Sequence, residues 1–254
     1  MDKTRKSGYN VLESTNTRVP MTIRNQVPMS ANKLPHGAFQ WTLSFNLDQL
    51  QADHFLVEGL ELPSNLRYAV KKRQIEFLCG RLCAKACMEN LGYEAPPLIP
   101  TGEDRAPIWP AELVGSISHT DRLATAVVGR ATQIESIGID IERVIAEATP
   151  QLIKHICCDL DELEGVRDAQ KISREEALTL IFSGKESLYK AIYPQLRRFY
   201  GFQAARVKAF GSNRLKIMLV TDLSDNFEEG TSWDLQSRMP SADLIETMVL
   251  KPRL

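Results

Sequence analysis

Apolar and polar positions alternate from Phe39 to Leu47, with Phe39, Trp41, Leu43, Phe45 and Leu47 on one side, and that period of two predicts a strand with one buried face. From Leu60 to Leu91 the period lengthens. Leu66, Val70, Phe77, Leu78 and Leu82 recur near helical spacing, so a helix is expected, opened at Pro63 or Ser64 and stopped by Gly92. Pro96-Pro97 and Pro100-Thr101-Gly102 mark loops. Short strands are expected at Arg105–Pro110 and Gly115–Ser118, joined by a turn, and again over the apolar run Ala124–Val128. Ser136 to Glu142 alternates once more, which puts Asp140 and Glu142 on one face and Ile137, Ile139 and Ile141 on the other. A turn through Gly129–Gln133 predicts that this strand pairs with Ala124–Val128 as a hairpin.

The pattern then repeats in kind. Gln151–Ile156 reads as helical, and the acidic run Asp159 to Glu164 suits a helix start, where negative charge is favourable to the helix dipole. Ser173 with Glu176 three residues on forms a capping box, opening a helix that is expected to run to about Ala191 and to be closed by Pro194. Strands follow at Val207–Phe210, Leu215–Val220, Trp233–Ser237 and Leu244–Leu250. Helix followed by strands thus occurs twice, without a letter-level repeat, and predicts an α+β fold in two parts: 38–135 and 136–254. Residues 1–37, rich in Ser, Thr, Asn, Pro and basic residues without a sustained period, read as a polar N-terminal arm.

Composition narrows the picture. The chain has 254 residues, 43% of them hydrophobic, enough for a large core. Its 31 basic and 32 acidic residues nearly cancel, which argues against a nucleic-acid-coating protein and requires any anion site to be local. No run reaches the eighteen apolar residues of a membrane span, and the polar start Met1-Asp2-Lys3-Thr4-Arg5-Lys6 lacks a signal-peptide core, so the expected location is the cytoplasm. The five cysteines agree with that compartment. They show no Cys-x-x-Cys or zinc-ligand spacing, and Cys79, Cys83 and Cys87, four apart on a helix, read as small buried fillers.

Against this background one stretch carries concentrated chemistry, Phe182-Ser183-Gly184-Lys185-Glu186-Ser187-Leu188-Tyr189-Lys190. Glu186 and Lys190 lie four apart on one helix face, a spacing that by itself describes a surface ion pair. With Asp140 and Glu142 on a nearby strand, however, three carboxylates can converge on a hard divalent cation. Lys71, Lys72, Arg73, Arg81 and Lys85 make a basic band on the long helix, which can be an ordinary solvated face. His119 stands at a strand end, where loops carry function.

Gly138-Ile139-Asp140-Ile141-Glu142 followed by the Phe182–Lys190 block resembles the signature pair of the 4'-phosphopantetheinyl transferases. Gly115-Ser116-Ile117-Ser118-His119 is similar to the upstream Ser-His motif of that family, and Arg105-Ala106-Pro107-Ile108-Trp109-Pro110 resembles the segment before it in the enterobactin-synthase and surfactin-synthetase activating types. The resemblance runs from about Leu60 to the C-terminus, leaving the arm outside it. It implies two similar α+β halves related by a pseudo-twofold, with the active site in the cleft between them. It implies attack by a serine hydroxyl of an acyl, peptidyl or aryl carrier protein on the β-phosphate of coenzyme A, transfer of 4'-phosphopantetheine, and release of adenosine 3',5'-bisphosphate.

The same resemblance assigns Mg²⁺ to Asp140, Glu142 and Glu186, and coenzyme A to Arg73, Arg81, Arg105, Ser118, His119, Lys185 and Lys190. Arg73 and Arg81 are expected at its 3'-phosphate and adenine end, where a guanidinium can make two parallel hydrogen bonds. His119 is expected to donate to a diphosphate oxygen, and Lys185 and Lys190 to touch phosphate or pantetheine oxygens. Glu186, with Lys190 and His119 as the other catalytic residues, is the candidate to accept the serine proton, a water at the cation being the alternative base. A monomer is implied, and the segment around Trp109 points toward siderophore or broad carrier use. Two rivals are a metal-dependent phosphodiesterase or nuclease and a carrier-binding protein without activity. The first conflicts with the near-neutral charge and the helical placement of Lys185-Glu186, and the second with the filling of every motif position.

Overall fold

The computed structural model of the chain describes residues 27–102, 104–210 and 215–253. Residues 1–26 of the expected arm lie outside the described residues, but the end of the arm is a strand, β1 (Met29–Lys33), paired antiparallel with β2 (Phe39–Ser44). Composition pointed away from a strand there because Ser30, Asn32 and Lys33 face solvent and the segment buries little.

The long helix begins later than its apolar spacing suggested. Short 3₁₀ turns occupy Ala52–Glu58 and Ser64–Leu66, and α1 runs from Lys71 to Asn90. The side chain of Gln74 donates to the carbonyls of Leu66 and Arg67, holding the turn that precedes the helix. Ile75, Leu78, Cys79, Leu82, Cys83 and Cys87 form its buried stripe against β2 and β4 (Leu123–Arg130), so the cysteines are packing residues. The thiols of Cys83 and Cys87 lie 3.5 and 3.4 Å from the carbonyls of Ala124 and Ala126.

The expected strand at Arg105–Pro110 is a loop. Asp104 accepts from the Ala106 amide at 3.0 Å, the Arg105 amide donates to Gly102, and Arg105 takes a left-handed φ of 69°. Pro107 and Pro110 have no N–H to offer a ladder, so local turn bonds win over strand pairing. Trp109 then folds back over β3 (Leu113–His119), and only a glycine at 115 admits it, since a Cβ there would sit 2.6 Å from the indole ring.

The first sheet has the order β1-β2-β4-β3, antiparallel throughout. Both edges of β4 are therefore taken by β2 and β3, and the expected hairpin between β4 and β5 (Ile134–Arg143) does not form. The chain turns at Arg130–Gln133 and β5 joins a second antiparallel sheet of order β5-β9-β8-β7-β6, built with β6 (Ala205–Ala209), β7 (Leu215–Leu219), β8 (Ser232–Ser241) and β9 (Leu244–Pro252). The two sheets meet edge to edge where β3 faces β5. Ser116 Oγ accepts the Ile139 amide at 3.0 Å and Ser118 Oγ accepts the Ile141 amide at 3.2 Å, so side chains replace the backbone acceptors a continuous sheet would supply. Apolar contact of Val127 with Ile137, Ile139 and Met248 seals the joint. Gln40 of β2 adds a buried polar bridge by donating to Thr125 and to Glu246 on β9.

Helices α2 (Pro150–Ile156), α3 (Leu160–Gln170) and α4 (Arg174–Leu196) cover the second sheet. The capping box opens α4 as expected, with Glu176 N to Ser173 Oγ at 3.1 Å and Ser173 N to Glu176 Oε2 at 2.7 Å. Pro194 does not close it. The helix continues to Leu196 because a proline in the last turn removes a single amide, while Tyr189 and Tyr193 pack with ring centroids 5.2 Å apart. Gly138 lets α4 approach β5 at backbone contact: a Cβ there would lie 1.8 Å from the Ser187 carbonyl oxygen. The result is an α+β fold, and among the described residues no helix is long and apolar enough to cross a membrane.

Candidate active site

Between α1 and β3 on one side and β5 and α4 on the other lies a cleft of about 800 Å³. Glu186, Tyr189, Lys190 and Tyr193 line it from α4, at the i, i+3, i+4, i+7 spacing of a single helix face. Asp140 and Glu142 line it from β5, Ser118 and His119 from β3, Arg73 and Arg81 from α1, and Arg105 from the loop. Nine sequence-derived residues thus share one cleft. Lys185 does not reach it.

Lys185 is 2% exposed and points away from the cleft, toward α2 and α3. Its ammonium donates to Ile156 O at 2.8 Å and pairs with Glu162 Oε2 at 3.1 Å. Glu162 in turn accepts the amides of Cys158 and Val207, at 2.6 and 2.7 Å. Every strong hydrogen-bonding direction of this buried pair is spent inside the protein, so a contact of Lys185 with phosphate or pantetheine is not supported. A signal was present in the sequence: Ile181, Lys185, Leu188 and Ile192 follow helical spacing and place Lys185 on the apolar stripe.

Lys190 takes the role that the isolated Glu186–Lys190 spacing gave to a surface pair. Its Nζ reaches past Glu186 to Asp140 Oδ1 at 2.7 Å, Ser118 Oγ at 3.1 Å and the Ile139 carbonyl at 3.1 Å. Ser118 donates to the same Asp140 Oδ1 at 2.9 Å. With Ile141 N and Lys190 as its two donors, the hydroxyl has its one proton and both lone pairs engaged, leaving no capacity for a direct coenzyme contact. Asp140 Oδ2, by contrast, is buried without a hydrogen-bond partner among the described residues.

The acidic wall is electrostatically loaded. Burial, reinforced by Asp140 and Glu186 and opposed by Lys190, pushes Glu142 up to about 7. Burial also raises Glu186, with Lys190 working against it and Asp140 with it. Because the folded state holds the Glu142 proton up to about pH 7 and the unfolded state releases it near 4.5, stability falls as pH rises through that window. In the presence of a chelator, Glu142→Gln is therefore expected to unfold at a higher temperature than the wild type at pH 8, with the gap closing toward pH 5. An equal difference at both pH values would remove Glu142 from this account.

The cationic wall differs from expectation in detail. Arg73 Nη1 lies 2.9 Å from His119 Nε2, and since a guanidinium only donates, that nitrogen accepts and the ring proton sits on Nδ1, 3.6 Å from Glu76 Oε2. Burial, then Arg73, lowers His119 to about 4, keeping the ring neutral. Its Nε2 is an acceptor for Arg73 here, a different task from donation to phosphate. Arg81 lines the cleft but spends its guanidinium on the carbonyls of Ile99 and Pro100 and on Thr101 Oγ1, with its Cζ 4.6 Å from the Phe77 ring centroid. Burial, then Arg73, lowers its pKa to about 10, still cationic at neutral pH. Arg105 makes no ion pair among the described residues, and Lys85 is engaged by Glu58.

Sequence reasoning missed Glu76, Tyr189 and Tyr193. Glu76 reads as the partner of Lys72 four residues earlier, and only the approach of β3 to α1 reveals it beside His119. Tyr193 donates to Asp104 at 2.6 Å, tying α4 to the loop, and was findable from its spacing to Glu186.

The donor set suits a hard cation: carboxylate oxygens on one wall, one of them buried and unpartnered. Among the described residues, no three His, Cys, Asp or Glu side chains are gathered closely enough to enclose a metal ion, so the carboxylates line the wall without closing on a centre.

Residues 62–129 match the family described as the 4'-phosphopantetheinyl transferase N-terminal domain, and residues 136–239 match the 4'-phosphopantetheinyl transferase superfamily. Enterobactin synthase component D of Salmonella typhi is 34% identical over 166 residues, 65% of this chain and 68% of the relative. The protein of the same name from Escherichia coli K12 is 41% identical over 128 residues, 50% of this chain and 59% of the relative. The 4'-phosphopantetheinyl transferase Npt of Nocardia iowensis is 34% identical over 162 residues, covering 59% of this chain and 70% of that protein.

Proposed function

This chain belongs to the 4'-phosphopantetheinyl transferase superfamily, and on that premise we propose that it moves the 4'-phosphopantetheine of coenzyme A onto a serine of an acyl, peptidyl or aryl carrier protein. The observation that carries this reading is the division of one cleft into a cationic wall, with Arg73 and Arg105, and an acidic wall, with Asp140, Glu142 and Glu186, and Lys190 between the carboxylates. A diphosphate needs the first, and a hydroxyl that must lose its proton needs the second.

In this reading Arg73 and Arg105 hold the phosphates of the donor, and His119 orients Arg73. Arg81 supports the site by anchoring the 99–101 backbone. Asp140, Glu142 and Glu186 are the residues that would hold Mg²⁺, and the bound ion would supply positive charge against the diphosphate. Glu186, raised by burial and without a hydrogen bond of its own among the described residues, takes the proton of the carrier serine. The serine oxygen bonds to the β-phosphorus, the bond from that phosphorus to the bridging oxygen breaks, and adenosine 3',5'-bisphosphate leaves with the electron pair. Lys190 holds Asp140 fixed beside the reacting group. The relatives named enterobactin synthase component D favour a siderophore-assembly carrier as the acceptor.

The test is incubation with coenzyme A, Mg²⁺ and separate apo acyl, peptidyl and aryl carriers, followed by intact mass measurement. A carrier heavier by one phosphopantetheine is expected. Carriers of unchanged mass throughout, with hydrolysis of a simple phosphodiester instead, would transfer the site to the phosphodiesterase class.

A further inference from the structure

Ser116 and Ser118 accept backbone amides of β5 in the same way, yet only Ser118 also touches Asp140 and the Lys190 ammonium that pairs with it. Both serines are nearly fully buried, at 3% and 5% exposure. The Ser118 hydroxyl and the Lys190 ammonium converge on Oδ1 of Asp140, at 2.9 and 2.7 Å, and Oδ2 is left buried without a partner. A carboxylate held by donors on both oxygens would turn neither outward, and one held by Lys190 alone could pivot to share that ammonium between them. Two donors on a single oxygen remove that freedom.

We propose that Ser118 is a positioning residue that locks the carboxylate of Asp140 across the joint between the two sheets, so that the unpartnered Oδ2 is left as the oxygen a divalent cation in the cleft would take. This rests on the transferase reading above for the presence of a cation. It reassigns Ser118 from a coenzyme contact to a support for a ligand, consistent with its hydroxyl having no bonding capacity left. Partners behind a metal ligand typically change affinity by about 10–100-fold when removed, because they fix the orientation and basicity of the ligand.

Ser116 supplies an internal control. Ser116→Ala deletes the acceptor of the Ile139 amide but no bond to Asp140 or Lys190, whereas Ser118→Ala deletes the acceptor of the Ile141 amide together with the bonds to Asp140 and Lys190, the two groups that fix the carboxylate. The experiment titrates Mn²⁺, a paramagnetic probe for the site, into the full chain with coenzyme A present, following free Mn²⁺ by electron paramagnetic resonance. Thermal unfolding of each variant is measured in parallel. Ser118→Ala is expected to bind Mn²⁺ about tenfold more weakly than the wild type, and Ser116→Ala to bind it as the wild type does, the two variants losing similar stability. Ser118→Cys, which keeps the volume and loses most of the hydrogen bonding, is expected to follow Ser118→Ala and serves if the alanine variant does not fold. Equal Mn²⁺ affinity in the Ser116 and Ser118 variants overturns the positioning role while leaving the transferase reading intact. Absence of Mn²⁺ binding by the wild type overturns the cation assignment and this inference with it.

Discussion

Glu186→Gln is expected to slow transfer to an apo carrier by about 10²–10⁴-fold, the range contributed by a positioned general acid or base. The substitution preserves size and helix compatibility and removes the charge. It breaks no ion pair, because Lys190 is engaged by Asp140, Ser118 and the Ile139 carbonyl and leaves Glu186 aside. Thermal stability should accordingly remain close to that of the wild type, and coenzyme A should still bind through Arg73. The rates are to be compared over several Mg²⁺ concentrations. A loss repaired by raised Mg²⁺ assigns Glu186 to the cation, and a loss that no concentration repairs assigns it to the serine proton. Transfer at the wild-type rate would refute both roles.

Lys185→Ala is expected to act on stability instead, lowering it by about 3–5 kcal/mol, the usual cost of removing one partner of a buried ion pair. Glu162 would be left without its cation, in a position where its side chain has no exposure. Urea unfolding measures the loss. The double variant Lys185→Met with Glu162→Gln should recover part of it, since the uncompensated charge disappears with the pair. A Lys185→Ala protein that keeps wild-type stability and shows a raised KM for coenzyme A would reinstate Lys185 as a substrate contact. The neighbouring residues 185 and 186 are thus expected to separate cleanly, one in stability and one in rate, because about 100° of helix rotation carries one into the core and the other to the cleft.

Much of this molecule was legible in its order of residues. The capping box at Ser173 and Glu176, the period-two alternation that sets Asp140 and Glu142 apart from the isoleucines of β5, and the packing role of the α1 cysteines are local consequences of side-chain period and backbone hydrogen bonding. Nine of the residues singled out from the motifs line one cleft. Hydrogen-bond competition was less legible. A serine beside a histidine gives no sign of whether its hydroxyl faces a ligand or, as Ser118 does, an aspartate and a strand amide; an arginine gives none of whether it will meet a phosphate or, as Arg81 does, loop carbonyls.

The sequence by itself determined most of the helices and strands and which acids and bases are available, because period, capping and turn chemistry act over a few residues. Only the tertiary structure decided that β5 leaves β4 for β9, since both edges of β4 were already taken. It alone set the partners of each charge. Those partners are brought together by contacts far apart in the chain, such as Lys190 with Asp140 and Gln40 with Glu246, and a charged side chain has no preference for one acceptor over another until packing has removed the water between them.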